Sequence, residues 1–356
     1  MYNKIKNVLI NGKSNDLHSD VVTKVLTEMA CRVTLYQSEK LAINSAVNFS
    51  LNGQPPQLEY QCAEQLTDLS DIEVVWHRRL QTPLVPGYIV PEDKMFVQQE
   101  LCSSNLACLA LLEHAFWLNP QAAATRANVK PLQLTLAKKV GLSIPQTLIS
   151  NDPQGIKAFI NSGQDTLYKP LNALAWHEQG RNYATYSARV TAEHLPNDTL
   201  LSASPGIYQR LVDKQYEVRA QFFGRSYFAV SIDSNRLQYG ELDWRLHQHQ
   251  GTLSDPVELP DEIYRAACAL MDELDLVCGA FDFIVTRDNE WVFLEVNESG
   301  QFLFLEQWCP ELPLLDAFCK CLVAKDKEFA YQRVLQPRKL ADVLDDYQFD
   351  LQLYTV

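Results

Sequence analysis

The chain opens with a short apolar run inside residues 5–10, an amphipathic pattern over 19–30 that follows Ser and Asp, and a second apolar run at 31–37. That order predicts strand, helix and strand, a β-α-β unit of Rossmann-like character. No GxGxxG accompanies it, so a dinucleotide site is not expected. Residues 72–77 read as another short strand ending at Arg78 and Arg79, and 93–115 carry a long helical pattern. Pro131 and Gly141 punctuate a helix over 131–140, because proline suits a first turn and glycine a left-handed stop. Strands are expected at 144–149 and 166–170, and a polar loop or hairpin with Gly180 at 172–187. A meander of 206–212, 215–223 and 226–233 follows, then a helix over 261–275, a hairpin over 279–296 and a helix over 313–324. The last 30 residues are charged and aromatic and yield no assignment.

Within the meander, alternation puts Glu217, Arg219 and Gln221 on one strand face and Val218, Ala220 and Phe222 on the other. Arg219 reads equally as an ion-paired residue of a half-exposed strand or as a phosphate contact. Arg245, beside Trp244, either stacks or binds phosphate.

The hairpin carries the strongest chemical signal. A two-residue turn at Asp288 and Asn289 pairs Arg287 with Glu290, Val285 with Val292 and Asp282 with Glu295. Asn297 then shares the face of Glu295. Two carboxylates opposed across a ladder repel, and Phe281, Phe283, Phe293 and Leu294 around them raise the cost. A solvated strand face would accommodate isolated acids, but it leaves the paired register and Asn297 unexplained. Two carboxylates and an amide are hard oxygen ligands suited to magnesium with phosphate. With such a hairpin present, Lys130 and Lys169 become candidates for nucleotide phosphates.

Composition narrows the classes. A chain of 356 residues suits two or three packed lobes. The formal charge of −13 and the lack of a basic patch argue against nucleic acid. No apolar stretch is long enough to span a bilayer, and the N-terminus reads as a strand rather than a signal peptide. Nine scattered cysteines without a CxxC pair point to a reducing cytoplasm. The histidines at 77, 177, 247 and 249 have no evident partners.

Taken in order, several segments resemble one family. They are Val-Val-Trp-His-Arg-Arg (74–79), Phe-Trp-Leu-Asn-Pro (116–120), Asn-Val-Lys-Pro-Leu-Gln-Leu (128–134) and the stretch 141–151. Tyr-Lys-Pro-Leu (168–171), Tyr-Glu-Val-Arg (216–219), Asp-Trp-Arg (243–245) and Phe-Leu-Glu-Val-Asn-Glu-Ser-Gly-Gln-Phe (293–302) continue the set. Over residues 5–325 the chain resembles the ATP-grasp ligases that mature ribosomal peptides, the microviridin and graspetide macrocyclases and their grasp-with-spasm relatives.

The resemblance implies an α/β fold of α+β lobes: a Rossmann-like domain over 1–115, a central lobe over 116–200, a C-terminal lobe with the metal site over 201–325, and a tail over 326–356. It implies ATP and Mg2+ as cofactors. Lys130 and Lys169 would contact phosphates, Gln209, Arg210, Leu211 and Val212 would line the adenine side through backbone groups, and Glu217 would sit near the nucleotide. Arg219 and Arg245 would be catalytic, stabilising the transferred phosphate, and Asp282, Glu295 and Asn297 would hold magnesium. The expected partner is a precursor peptide with a leader segment, and a homodimer is a family expectation. One departure stands out: Glu298 replaces the proline that usually follows the metal-binding asparagine. A ligase of free amino acids or small metabolites, and a non-catalytic nucleotide-binding protein, are the alternatives.

Overall fold

The computed structural model describes residues 6–52, 57–79, 81–172, 175–178, 181–185, 187–233, 254–347 and 349. The opening unit forms as its pattern predicts: β1 (Asn7–Asn11), α1 (Leu17–Glu28) and a parallel β2 (Arg32–Tyr36). Asp16 caps α1 by accepting from the Ser19 N–H at 3.1 Å, which satisfies one of the orphan donors of the first turn. An antiparallel meander of β3 (Ser45–Ser50), β4 (Gln57–Cys62) and β5 (Gln65–Asp68) is inserted before β6 (Val74–His77). After α2 (Lys94–Ala110), β7 (Phe116–Leu118) completes a parallel sheet of order β2-β1-β6-β7. The N-terminal lobe therefore extends past residue 115 to Leu118.

The helices α3 (Gln121–Ala127) and α4 (Lys130–Lys139) come next. Gly141, at φ 95°, provides the left-handed stop expected for α4. Ala123, Ala127, Leu134 and Ala137 from these helices join the core of the C-terminal lobe, although they precede the central lobe in sequence.

The central lobe contains β8 (Thr147–Ser150), α5 (Pro153–Asn161), β9 (Thr166–Lys169), a hairpin of β10 (Ala175–Glu178) and β11 (Arg181–Ala184), β12 (Ala188–Val190), α6 (Asp198–Ala203) and β13 (Gly206–Arg210). Its sheet has the order β12-β9-β13-β8. The expected meander is thereby split. The first of its three strands, β13, pairs with β8 and β9, and so the central lobe runs to residue 210.

The C-terminal lobe is an antiparallel sheet of order β16-β15-β14-β17-β18. Its elements are β14 (Lys214–Phe223), β15 (Ser226–Ile232), β16 (Ser254–Pro256), α7 (Asp261–Leu274), β17 (Cys278–Thr286) and β18 (Trp291–Asn297). Three helices follow: α8 (Leu303–Trp308), α9 (Leu314–Ala324) and α10 (Leu340–Tyr347). They return to the N-terminal sheet and form one core with α1, β1 and β6, in which Trp76 meets Phe318 at 4.7 Å between ring centroids. The segment that carried no assignment thus includes a helix seated on the first lobe. Among the described residues no helix is long and apolar enough to cross a membrane.

Candidate functional site

The polar face of β14 is buried. Glu217, Arg219 and Gln221 are all less than a tenth exposed, and Val218, Ala220 and Phe222 pack on the opposite face. A half-exposed strand is therefore ruled out, and each polar group needs a partner. Arg219 donates from Nη1 to Asp282 Oδ2 on the neighbouring strand at 2.7 Å. Its Nε finds no partner among the described residues. Glu217 accepts from Lys214 Nζ at 2.6 Å, a buried pair that sequence reasoning missed because a bulge at residues 214–216 brings the lysine onto the same face.

Asp282 and Glu295 do stand opposite each other, but not through the expected turn. Asn289 adopts φ 59°, the Thr286 and Glu290 backbones close a three-residue loop, and Val285 pairs with Trp291. The strand then carries one extra residue, Leu294, which restores Asp282 to Glu295. A bulge and a longer turn each shift the register by one, in opposite senses. Asn297 Nδ2 lies 3.2 Å from Asp282 Oδ2 and 3.3 Å from Glu295 Oε1, so all three side chains converge. Lys130, at the start of α4, donates to Glu295 Oε2. The carboxylates are therefore bracketed by two cationic side chains, Arg219 and Lys130.

The other predicted residues lie on the central sheet. Lys169 donates to Gln209 Oε1 at 2.7 Å, and Gln209 donates in turn to Thr147 Oγ1 at 2.9 Å. The Arg210 side chain lies over Phe159 and binds the Gln164 and Phe159 carbonyls, so it braces α5. The backbone N–H groups of Arg210 and Leu211 are taken by Gln146 and Asp165, and Val212 follows them out of the strand. Arg245, together with residues 247 and 249, lies outside the described residues.

Two adjoining clefts share Arg79, Asn128, Glu298 and Ser299, and the first of them reaches Asp282. One, of about 400 Å³, is lined by Arg79, Arg219, Asp282, Asn297, Gly300 and Phe304 among others. The second, of about 380 Å³, runs toward the N-terminal lobe and is lined by His77, Gln121, Thr125 and Gln81, with Arg79, Asn128 and Glu298 shared. Burial holds the His77 imidazole below its usual pKa, against the pull of Glu298.

The turn after β18 forms the common wall. Arg78, 1% exposed, donates to the Ser299 carbonyl at 2.6 Å and pairs with Asp16. Asn119 donates to the Glu298 carbonyl at 2.8 Å, and its oxygen accepts from the Val277 and Cys278 N–H groups. His18 Nε2 accepts from the Phe302 and Leu303 N–H groups at 3.0 and 3.2 Å. The partners of these three within the turn are 179 to 285 residues away, so local sequence does not show the contacts, although Arg78 and Asn119 fall in the segments 74–79 and 116–120 that carry the resemblance.

The three lobes have the fold of ATP-grasp ligases, as comparison with solved structures shows. No protein-family model matches the chain. The chain is similar to the macrocyclase MdnC of Microcystis aeruginosa, solved with precursor peptide MdnA (TM-score 0.79, 28% identity, 89% of this chain and 99% of that one). It is also similar to macrocyclase MdnB of the same organism (TM-score 0.76, 26% identity, 89% and 99% covered). A RiPP-associated ATP-grasp ligase of Chryseobacterium gregarium, solved with ADP and a leader and core peptide, shares the fold (TM-score 0.82, 24% identity, 90% and 98% covered). A probable alpha-L-glutamate ligase of Shewanella amazonensis is 25% identical over 197 residues; the match spans 54% of this chain and 62% of that protein.

Proposed function

We propose that the chain activates a side-chain carboxylate of a ribosomal precursor peptide with ATP and joins it to a hydroxyl or amine of the same peptide. The observation that carries this reading is the convergence of Asp282, Glu295 and Asn297 between Arg219 and Lys130. The likeness to macrocyclases over nearly the whole chain supports the peptide as substrate.

The donor chemistry fits a divalent cation. Two carboxylates supply hard oxygens, and an amide flip of Asn297 presents Oδ1 with no change of shape. Two carboxylates and one amide leave coordination positions to other oxygens. That suits magnesium, which keeps water and phosphate oxygens. When bound there, magnesium supplies charge neutralisation to the triphosphate.

Lys130 and Lys169 hold phosphates in this reading, with Gln209 orienting the Lys169 ammonium. Gln209, Arg210, Leu211 and Val212 edge the adenine through their backbone, and Glu217 closes that side. Arg219 and Arg245 carry the charge of the transferred phosphate. A carboxylate oxygen attacks the γ-phosphorus and ADP leaves; the hydroxyl or amine then attacks the acyl carbon, the acyl–phosphate bond breaks, and phosphate leaves with the nucleophile's proton released to it or to water. The unpartnered Nε of buried Arg219 supports an anion at this point. The leader segment binds in addition to the reacting core. A cytoplasmic site of action is supported by nine cysteines, all free of disulfides.

The similarity to a glutamate ligase favours a second reading, ligation of free amino acids. Mass spectrometry of a candidate Thr/Lys/Glu-rich peptide, incubated with enzyme, ATP and magnesium, decides between them. Loss of about one water per new bond is expected from intramolecular condensation. An unmodified peptide, with ADP formed only when free amino acids are added, would favour the second reading.

A further inference from the structure

We propose that the cleft toward the N-terminal lobe is the subsite for the nucleophile, and that Glu298 makes it selective for a primary ammonium such as a lysine side chain. The inference rests on the peptide-ligase reading above and refines it: the bound ammonium gives up a proton, the amine attacks the acyl-phosphate carbon, phosphate leaves, and the bond formed is an amide.

Three observations carry it. First, Glu298 and Arg79 both line both clefts, yet neither takes part in an ion pair among the described residues. Opposite charges on one cavity wall that do not meet are each available to a ligand group, and a ligation of carboxylate to amine presents one of each sign. Second, Glu298 is aimed. Asn128 Nδ2 donates to its Oε1 at 2.9 Å, and its own carbonyl is tied to Asn119 at 2.8 Å, so backbone and side chain are both fixed. Third, the neighbouring charges are already used. Arg78 is matched by Asp16, and Arg219 by Asp282, which leaves Glu298 as the carboxylate presented beside the polar, uncharged Gln121 and Thr125.

A fixed carboxylate discriminates strongly between an ammonium and an apolar or hydroxyl group. A charged hydrogen bond is worth about 1.5–3 kcal/mol, which corresponds to roughly tenfold or more in affinity. Arg79 lines both clefts and shares the first with Arg219, so it is available to the carboxylate partner.

The test is binding, with Nα-acetyl-lysine amide and its norleucine counterpart as probes, by calorimetry or ligand-observed NMR on the full chain with ADP and magnesium. The wild type should prefer the lysine probe by about tenfold, and Glu298→Gln, which can still accept from Asn128, should erase the preference without changing the melting temperature. Equal binding of both probes, no binding of either, or a preference retained in Glu298→Gln overturns the inference. A second arm separates it from the parent reading. A Glu/Lys peptide and its Glu/Thr counterpart are incubated with ATP: condensation of the Glu/Thr peptide alone defeats the amine assignment and leaves the ligase intact. No condensation of either, with the lysine preference present, defeats the ligase reading instead.

Discussion

Arg78 reaches from the end of β6 to the Ser299 carbonyl at 2.6 Å, across 221 residues of chain. The contact ties the N-terminal sheet to the turn that walls the cleft, and the guanidinium is almost wholly buried. Its charge is compensated by Asp16, whose carboxyl burial would push up but Arg78 and Ser19 hold below the usual range. Arg78→Ala would leave Asp16 buried and unpaired, at a cost of about 3–5 kcal/mol. Arg78→Lys keeps the charge but cannot span Asp16 and Ser299 as a fork. We expect urea denaturation to show Arg78→Lys much closer to wild type than Arg78→Ala, while both lose ligase turnover. A fully active Arg78→Lys would show that the wall does not depend on this link.

Asp282→Asn and Glu295→Gln each remove one of two converging carboxylates and leave the shape unchanged. If they hold a cation, each should lower ADP release in the presence of peptide by at least about a hundredfold, and the loss should shrink at higher magnesium concentration. Because Arg219 and Lys130 are the present partners, either variant also leaves a cation without its anion. Folding stability, read by thermal melting without nucleotide, therefore separates the two effects. Unchanged turnover at low magnesium would remove the metal assignment.

The sequence led to the right opposition of Asp282 and Glu295 by a route the structure corrects. Alternation and turn propensity cannot reveal a bulge at Leu294, and a left-handed Asn289 suits a three-residue loop as well as a two-residue one. Local pattern recovered four helices, each by a different signal: amphipathic periodicity for α1, proline and glycine punctuation for α4, Pro260 with an acidic first turn for α7, and an apolar run for α9, which is buried nearly all round. It could not show that β13 leaves its neighbours for another sheet, since pairing is a tertiary choice. The contacts of Lys214, Asn119, Arg78 and His18 were illegible for the same reason, although Arg78 and Asn119 stand in segments that carry the resemblance. The Arg210 side chain braces α5, a role separate from the backbone one expected of it.

Two buried groups give the fold opposing responses to pH. His18 accepts two N–H bonds from the start of α8, and burial with the nearby Arg78 charge lowers its pKa to about 3. Its folded value lies below its unfolded value of about 6.5, so stability is lost as pH falls from there toward 3. Glu306 receives the N–H groups of Leu315 and Leu340, yet burial raises it to about 7. Its folded value lies above the unfolded one, so its contribution is full below about 4.5 and is lost as pH rises through 7. Between about 4.5 and 6.5 the two slopes, each up to about 1.4 kcal/mol per unit, offset. His18→Gln, which retains an acceptor but does not titrate, should therefore expose a decline in stability from pH 4.5 to 7. Glu306→Gln should instead expose a rise in stability from pH 4.5 to 6.5, where the wild type is nearly flat. Chemical denaturation across this range checks both; parallel profiles for wild type and variants would refute the assignment.

Gly300 lies where a side chain cannot go. A Cβ there would come 2.8 Å from Arg219 Nη2 and 2.5 Å from Ala280 Cβ, both too close for real contacts. Gly300→Ala must therefore move the guanidinium, the turn or β17. Arg219 is fixed by one bond to Asp282, so it is the component with least to hold it. A displacement of about 1 Å at a positioning group costs roughly a hundredfold in rate. We expect Gly300→Ala to reduce ligase turnover by about that factor, while ADP affinity, measured by calorimetry, stays close to wild type. Adding Ala280→Gly removes the tighter contact but not the one with Arg219. If the double variant stays slow while regaining the wild-type melting temperature, the rate loss belongs to Arg219; if turnover recovers with stability, displacement of the strand was responsible and Arg219 was never disturbed.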